Sequence, residues 1–308
     1  MSGQGREAVA VSVNDRLRAV ARKMPGDHNL NNQMVTSRYV YERMMARMER
    51  TSAAGSWVLK GVVLMLVLPQ QGAHRITVDI DWSLRSGTGL SVTGCLDEIC
   101  AAEPDPEDGM SYALITEGKD APRVIREDSA QPTVRAKLAA VLHCPRPNER
   151  QFVVDVTEAQ LPFEPVMREW RPTIRGFEPL LVPSYPWELV FAEKLHAILT
   201  GSMANPRLRD YMDVIALSRS GAADPGETAE WIVRVFDVRG DSGRQYEEAP
   251  VGLSQAFADA RQKDWSGTLA RTGLAGEMHA SLADAIAEVT AIAEPLLAAT
   301  APAPALGR

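Results

Sequence analysis

The stretch Trp57-Val-Leu-Lys-Gly61-Val-Val-Leu-Met-Leu-Val-Leu68-Pro-Gln-Gln-Gly72-Ala-His-Arg75-Ile-Thr-Val-Asp79-Ile-Asp81 decides how the chain is read. Residues 57–59 are a short β-forming run that ends at Gly61. Residues 62–68 are apolar and helix-like, and Pro69 and Gly72 mark a turn. In residues 75–81 strand alternation puts Ile76, Val78 and Ile80 on one face and Arg75, Thr77, Asp79 and Asp81 on the other. Neighbouring like charges on one face repel, and a divalent cation beside them resolves the repulsion. Glycine at a helix start lets backbone N–H groups approach phosphate oxygens. The plain alternative is a turn glycine followed by an exposed strand-end acid pair. The 18 residues from Gly61 to Asp79 suit strand, helix, turn and next strand, so the combination says more than either half.

Upstream, residues 14–54 are expected to be helical. Val40, Met44 and Met48 form an apolar stripe there, and Arg43, Arg47 and Arg50 fall on another face. Residues 1–56 hold nine Lys/Arg against five Asp/Glu, a local balance of +4 in a chain whose net charge is -7. Whole-protein basic character suited to nucleic acid is therefore absent. The three arginines read either as a solvated helical face or as a local docking surface for a phosphate backbone.

Downstream, strands are expected near residues 91–93, 112–116, 123–126 and 151–156. In the last of these Asp155 interrupts a β-forming run, and an acid there is costly unless it is paired, metal-bound or facing water. After Pro186 the pattern turns helical, over 187–200, 207–219, 228–235, 251–262 and 279–297. Lys194 lies four residues from both Val190 and Ile198, so it either snorkels from an apolar stripe or meets a phosphate. His196 reads as a packed histidine. Arg209 and Asp213, at i and i+4, read as a surface ion pair, which leaves Asn205, Arg207 and Asp210 unexplained.

The chain has 308 residues, 45% hydrophobic and 24% charged, an ordinary globular composition. Cys95, Cys100 and Cys144 form no disulfide framework and no metal-type pair, so a reducing cytoplasm is expected. The apolar run 62–68 is far shorter than the roughly 20 residues of a membrane span. The expected division is a disordered N-terminus over 1–13, a mixed domain over 14–180, a helical domain over 181–298 and a disordered tail over 299–308.

Taken in order, WVLKG (57–61), RITVDID (75–81), VVDV (153–156), YPWELVFAEKLHAI (185–198) and NPRLRDYMDV (205–214) resemble the AbiEii/AbiGii toxin family of nucleotidyltransferases. Residues 41–61 are similar to that family's entry into its first strand. The family often places Gly, Ala or Ser after the glycine, where this chain has Val62. The resemblance implies an α+β nucleotidyltransferase fold, a small mixed sheet flanked by helices, followed by a helical C-terminal domain. It implies Mg²⁺, one or two ions, on Asp79, Asp81 and Asp155. It also implies catalytic roles for Asp79, Asp81, Lys194 and Asp210. The nucleotide-binding set it implies is Lys60, Gly61, Arg75, Thr77, Arg209 and Asp213. The implied activity is that of a type IV toxin: transfer of a nucleotide from an NTP to an RNA, the tRNA 3′ end foremost, with a separate antitoxin chain as partner and no membrane. The competing readings are the same transfer to a protein or small-molecule hydroxyl, and a non-catalytic domain that binds a nucleotide or an antitoxin.

Overall fold

The computed structural model describes residues 3–68, 79–87, 89–125, 132–204, 207–247, 249–274 and 276–300. They fall into two units, 3–67 with 79–185, and 68 with 186–300.

Two helices open the first unit, α1 (Gly3–Arg22) and α2 (His28–Met48). The expectation of disorder over 1–13 fails from Gly3 onward. Ala10, Val13, Leu17 and Ala21 recur at helical spacing and are all buried, so packing holds a segment whose composition is weak. Ala10 lies under Gly109, whose backbone has φ +74° and where a Cβ would come within 2.7 Å of the Ala10 Cα. Helix α2 starts at Asp27, whose carboxylate accepts from the N–H groups of Asn29 (2.8 Å) and Leu30 (2.9 Å).

Burial of Val40, Met44 and Met48 in α2 agrees with the apolar stripe, but the basic face does not survive. Arg47 is 2% exposed and donates from both terminal nitrogens to Asp108, at 2.6 and 3.0 Å. It also donates to the Met110 carbonyl and lies 4.8 Å over the Tyr112 ring. Arg43 is 4% exposed, pairs with Glu42 at 2.8 Å and lies 4.1 Å over Phe177. Glu42 in turn accepts from the N–H and hydroxyl of Thr173. Of the three arginines expected on a solvated helical face or a phosphate-docking surface, Arg50 alone is exposed. Helical spacing brought them to one side, and the tertiary fold buried that side.

The sheet contains β1 (Trp57–Lys60), β2 (Asp79–Arg85), β3 (Met110–Leu114), β4 (Arg123–Val124), β5 (Thr133–Leu142), β6 (Asn148–Ala159), β7 (Val166–Trp170) and β8 (Leu180–Ser184). Their order is β3-β5-β6-β2-β1-β8-β7, with β4 on β5. Strands β2/β6 and β1/β8 are parallel and the other pairs antiparallel, so the sheet is mixed. Between β1 and β2 the run 61–67 forms a helical turn, α3 (Gly61–Leu64), and a 3-10 turn (Met65–Val67). On the buried side Ile80, Trp82, Leu84, Phe152, Val154 and Val156 make the core, with Trp57 edge-on to Trp82 and Tyr41 of α2 edge-on to Phe152.

Three expectations change here. The second strand, expected over 75–81, runs on to Arg85, because Trp82 and Leu84 pair with β1 and bury their rings and methyls; residues 75–78 lie outside the described residues. Residues 91–93 are no strand. Ser91 caps α4 (Val92–Ala101) by accepting from the Gly94 N–H at 3.0 Å. Strand β8 hydrogen-bonds into the sheet, so the first unit extends to 185 rather than 180.

The described residues of the second unit hold α5 (Trp187–Leu199), α6 (Leu208–Ser220), α7 (Pro225–Val238), α8 (Gln255–Thr272) and α9 (Leu282–Thr300), with short 3-10 turns. Proline opens α7 beside an Asp224 cap, where its missing N–H costs nothing. Residues 299 and 300, expected in a disordered tail, end α9, and 301–308 lie outside the described residues. Among the described residues no helix is long and apolar enough to cross a membrane.

Candidate active site

Strand register builds the site. Lys60 of β1 pairs with Asp81 of β2, Asp81 with Asp155 of β6, and Asp155 with Arg135 of β5. Directly paired residues on neighbouring strands share a face, so a single row across four strands reads Lys60, Asp81, Asp155, Arg135. Asp79 stands two residues from Asp81 on that face, in register with Val153 and Lys137. On the other side of the charged row, Ser83, Thr157 and Thr133 form a hydroxyl row.

These side chains interlock. Lys60 Nζ donates to Thr157 Oγ1 at 2.7 Å, and Thr157 Oγ1 lies 3.0 Å from Thr133 Oγ1. Ser83 Oγ and the Tyr185 hydroxyl are 2.7 Å apart. Lys137 Nζ reaches Asp120 at 3.1 Å. Arg135 donates from Nε to Asp155 Oδ1 (2.8 Å) and from Nη2 to Asp155 Oδ2 (2.7 Å), a parallel two-bond fork. Those bonds hold the Arg135 guanidinium above its already high ordinary value; partial burial opposes them, and the charges of Asp155, Asp79 and Asp81 add to the rise.

Gly61 follows β1 directly with φ +69°. A Cβ there would overlap the Asp81 carboxylate and stand 2.9 Å from the Asp81 Cβ, so the backbone passes against Asp81 only because this residue lacks a side chain. Val62 is buried.

Asp79 and Asp81 offer carboxylate oxygens on one strand face, which suits a hard cation such as Mg²⁺ and not a soft one. Asp155 stands beside Asp81, but both its oxygens are engaged by Arg135. Among the described residues no group of three or more His, Cys, Asp or Glu is gathered as an ion cage. Arg75 and Thr77 lie outside the described residues. Sequence reading overlooked Arg135, Thr133, Thr157 and Ser83. The alternation Thr133-Val-Arg-Ala-Lys-Leu carried a signal for Arg135, but alanines and charges made it weak as a strand.

In the second unit, by itself, Lys194 of α5 is buried between two acids of α6. Its Nζ lies 2.5 Å from Asp213 Oδ2 and 3.4 Å from Asp210 Oδ1. Arg207 Nε is 2.8 Å from Asp210 Oδ2. Lys194 is thus neither snorkelling nor at the surface, and Asp213, expected in an exposed pair with Arg209, is buried as well. Arg209 is half-buried on α6. His196 is packed, with Nε2 2.8 Å from Asp241 Oδ2 and its ring edge-on to Phe236. Burial pulls the His196 pKa below its ordinary value, against the Asp241 hydrogen bond.

A mixed sheet flanked by helices, with two acids on one face of a central strand against a glycine that follows the neighbouring strand, is the arrangement of a nucleotidyltransferase-type domain. The family model described as "Nucleotidyl transferase AbiEii toxin, Type IV TA system" matches residues 43–288. The chain belongs to that family, and it is a nucleotidyltransferase. Family membership brings a nucleotide substrate and an antitoxin partner with it. No curated relative matches the chain.

Proposed function

We propose that the chain is a Mg²⁺-dependent toxin that transfers a nucleotide from an NTP to a hydroxyl of RNA, foremost the tRNA 3′ end. The observation that carries the metal-dependent part is the placement of Asp79 and Asp81 on one face of β2 with Gly61 against Asp81. Asp79 and Asp81 would hold the ion. Bound there, Mg²⁺ supplies neutralisation of the negative charge on the triphosphate. A carboxylate of the pair takes the proton of the attacking hydroxyl. The new bond joins that oxygen to the α-phosphorus, the bond to the bridging oxygen breaks in line, and pyrophosphate leaves. Lys194 as phosphate contact and Asp210 as the later acid follow from the family resemblance, with the helical second unit as the family's C-terminal domain. The three free thiols suit a reducing cytoplasm.

A second reading, transfer to a protein or small-molecule hydroxyl, gains from the burial of Arg43 and Arg47, which removes the basic face expected to meet RNA. Incubating the full chain with Mg²⁺, each α-labelled NTP and total tRNA tests both. Label on tRNA that Asp81→Asn abolishes supports the first reading; label on a cell-extract protein or metabolite, with none on tRNA, replaces it by the second.

A further inference from the structure

Asp155 and Arg135 are joined by two parallel hydrogen bonds in the row that contains Asp81. The two side chains differ in exposure: Asp155 is 13% exposed and Arg135 41%. The carboxylate is thus the enclosed partner, and the guanidinium faces outward. The fork uses Nε and Nη2, and among the described residues Nη1 donates to no acceptor. Both hydrogen bonds fix the plane of the guanidinium, so its remaining N–H groups have a set direction on the Asp79/Asp81 face. A planar, permanently charged fork with spare donors is suited to phosphate oxygens.

We propose that Arg135 contacts the triphosphate of the bound NTP, and that Asp155 is its positioning residue rather than an ion ligand. The inference rests on the nucleotidyl-transfer reading of Asp79 and Asp81. It assigns opposite ends of the charged row to different tasks. Lys60 is tied to Thr157 beside Asp81, and Arg135 presents its donors from the far side of Asp155.

Equilibrium binding of a non-hydrolysable NTP analogue to the full chain, with Mg²⁺, tests the assignment. Arg135→Ala and Arg135→Gln are expected to weaken the analogue about tenfold or more and to leave the uncharged nucleoside unaffected. Asp155→Asn is expected to weaken it by a similar factor, and the Arg135→Ala/Asp155→Asn double variant no further, because both act through one guanidinium. Arg135→Lys retains part of the affinity and controls for misfolding, together with the thermal midpoint of each variant. Mn²⁺ affinity without nucleotide, read by electron paramagnetic resonance, stays the same in Asp155→Asn; a clear drop there makes Asp155 an ion ligand and overturns the positioning role. Unchanged analogue affinity in Arg135→Ala, or loss of RNA binding alone, overturns the Arg135 contact while nucleotidyl transfer stands. Failure of the unaltered chain to bind the analogue overturns both.

Discussion

Gly61 and Asp81 are in backbone-to-carboxylate contact across β1 and β2, with no room for a methyl group between them. The contact joins a conformational demand, φ +69°, to a steric one at one of the two acids proposed to hold the ion. Gly61→Ala is expected to cost about 1–2 kcal/mol from the left-handed backbone alone and to displace Asp81. Nucleotide transfer should fall by at least tenfold, more than the stability loss accounts for. Parallel measurements of transfer rate and thermal unfolding check this, and a fully active Gly61→Ala chain would reduce the glycine to a turn former.

Asp79→Asn and Asp81→Asn keep the size of each side chain and remove its charge, so the chain should still fold. Transfer should fall on the order of 100-fold or more, since several kcal/mol of charge stabilisation would be lost with the ion. Unfolding midpoints and Mg²⁺ titrations of activity separate the two effects. Transfer undiminished in either variant would remove that residue from the metal site.

Arg47→Met leaves Asp108 buried with its main cationic partner gone. The expected loss is about 3–5 kcal/mol of stability, read by urea unfolding. Arg50→Ala, at an exposed position with Asp105 3.9 Å away, should change stability by less than about 1 kcal/mol. If Arg47→Met proves neutral to folding and weakens RNA binding, the buried assignment of Arg47 is wrong.

Lys194→Met removes the cation that lies between the buried Asp210 and Asp213, with Arg207 still beside Asp210. Stability should drop by about 3–5 kcal/mol. Adding Asp213→Asn to Lys194→Met should recover part of it, because the second change removes a buried negative charge that had faced Lys194. Thermal unfolding of the single and double variants reads this directly, and strict additivity of two losses would contradict the coupling.

His196 has a folded-state pKa below its unfolded value, because burial disfavours the charged ring. The unfolded chain therefore binds more protons across that interval, and stability rises with pH there. Stability linked to His196 is complete above the ordinary histidine range of about 6.5 and declines as pH falls through the folded pKa. Asp241, whose carboxyl is held below its ordinary value by hydrogen bonds from Arg244 and His196, titrates well below that window. His196→Gln should flatten the dependence of the thermal midpoint on pH between about 7 and 5. An equal slope in both chains would assign the effect elsewhere.

Legibility followed the range of the interactions. The strand at Trp57–Lys60, the glycine after it, the shared face of the acid pair and the helical run after Pro186 were readable because each rests on local periodicity or on residues close in sequence. Strands β5, β7 and β8 were missed, since the alanines and charges of β5, the charges of β7 and the proline of β8 weaken their β propensity, and it is cross-strand pairing that makes them strands. The segment over 1–13 was misread for a related reason. Its helix is held by burial against residues such as Gly109, which local composition does not reveal.

The sequence by itself determined that this is an α+β nucleotidyltransferase of the AbiEii type, because ordered motifs carry that identity, and that Asp79 and Asp81 share a strand face, because side chains alternate with a period of two. Only the tertiary structure decided what those chemical groups meet. Register across four strands set Asp155 against Arg135, and packing of α2 turned Arg43 and Arg47 from an expected phosphate surface into buried ion pairs. The physical reason is that charge and periodicity are properties of one segment, whereas a partner and its degree of burial are set by a second segment that the first does not specify.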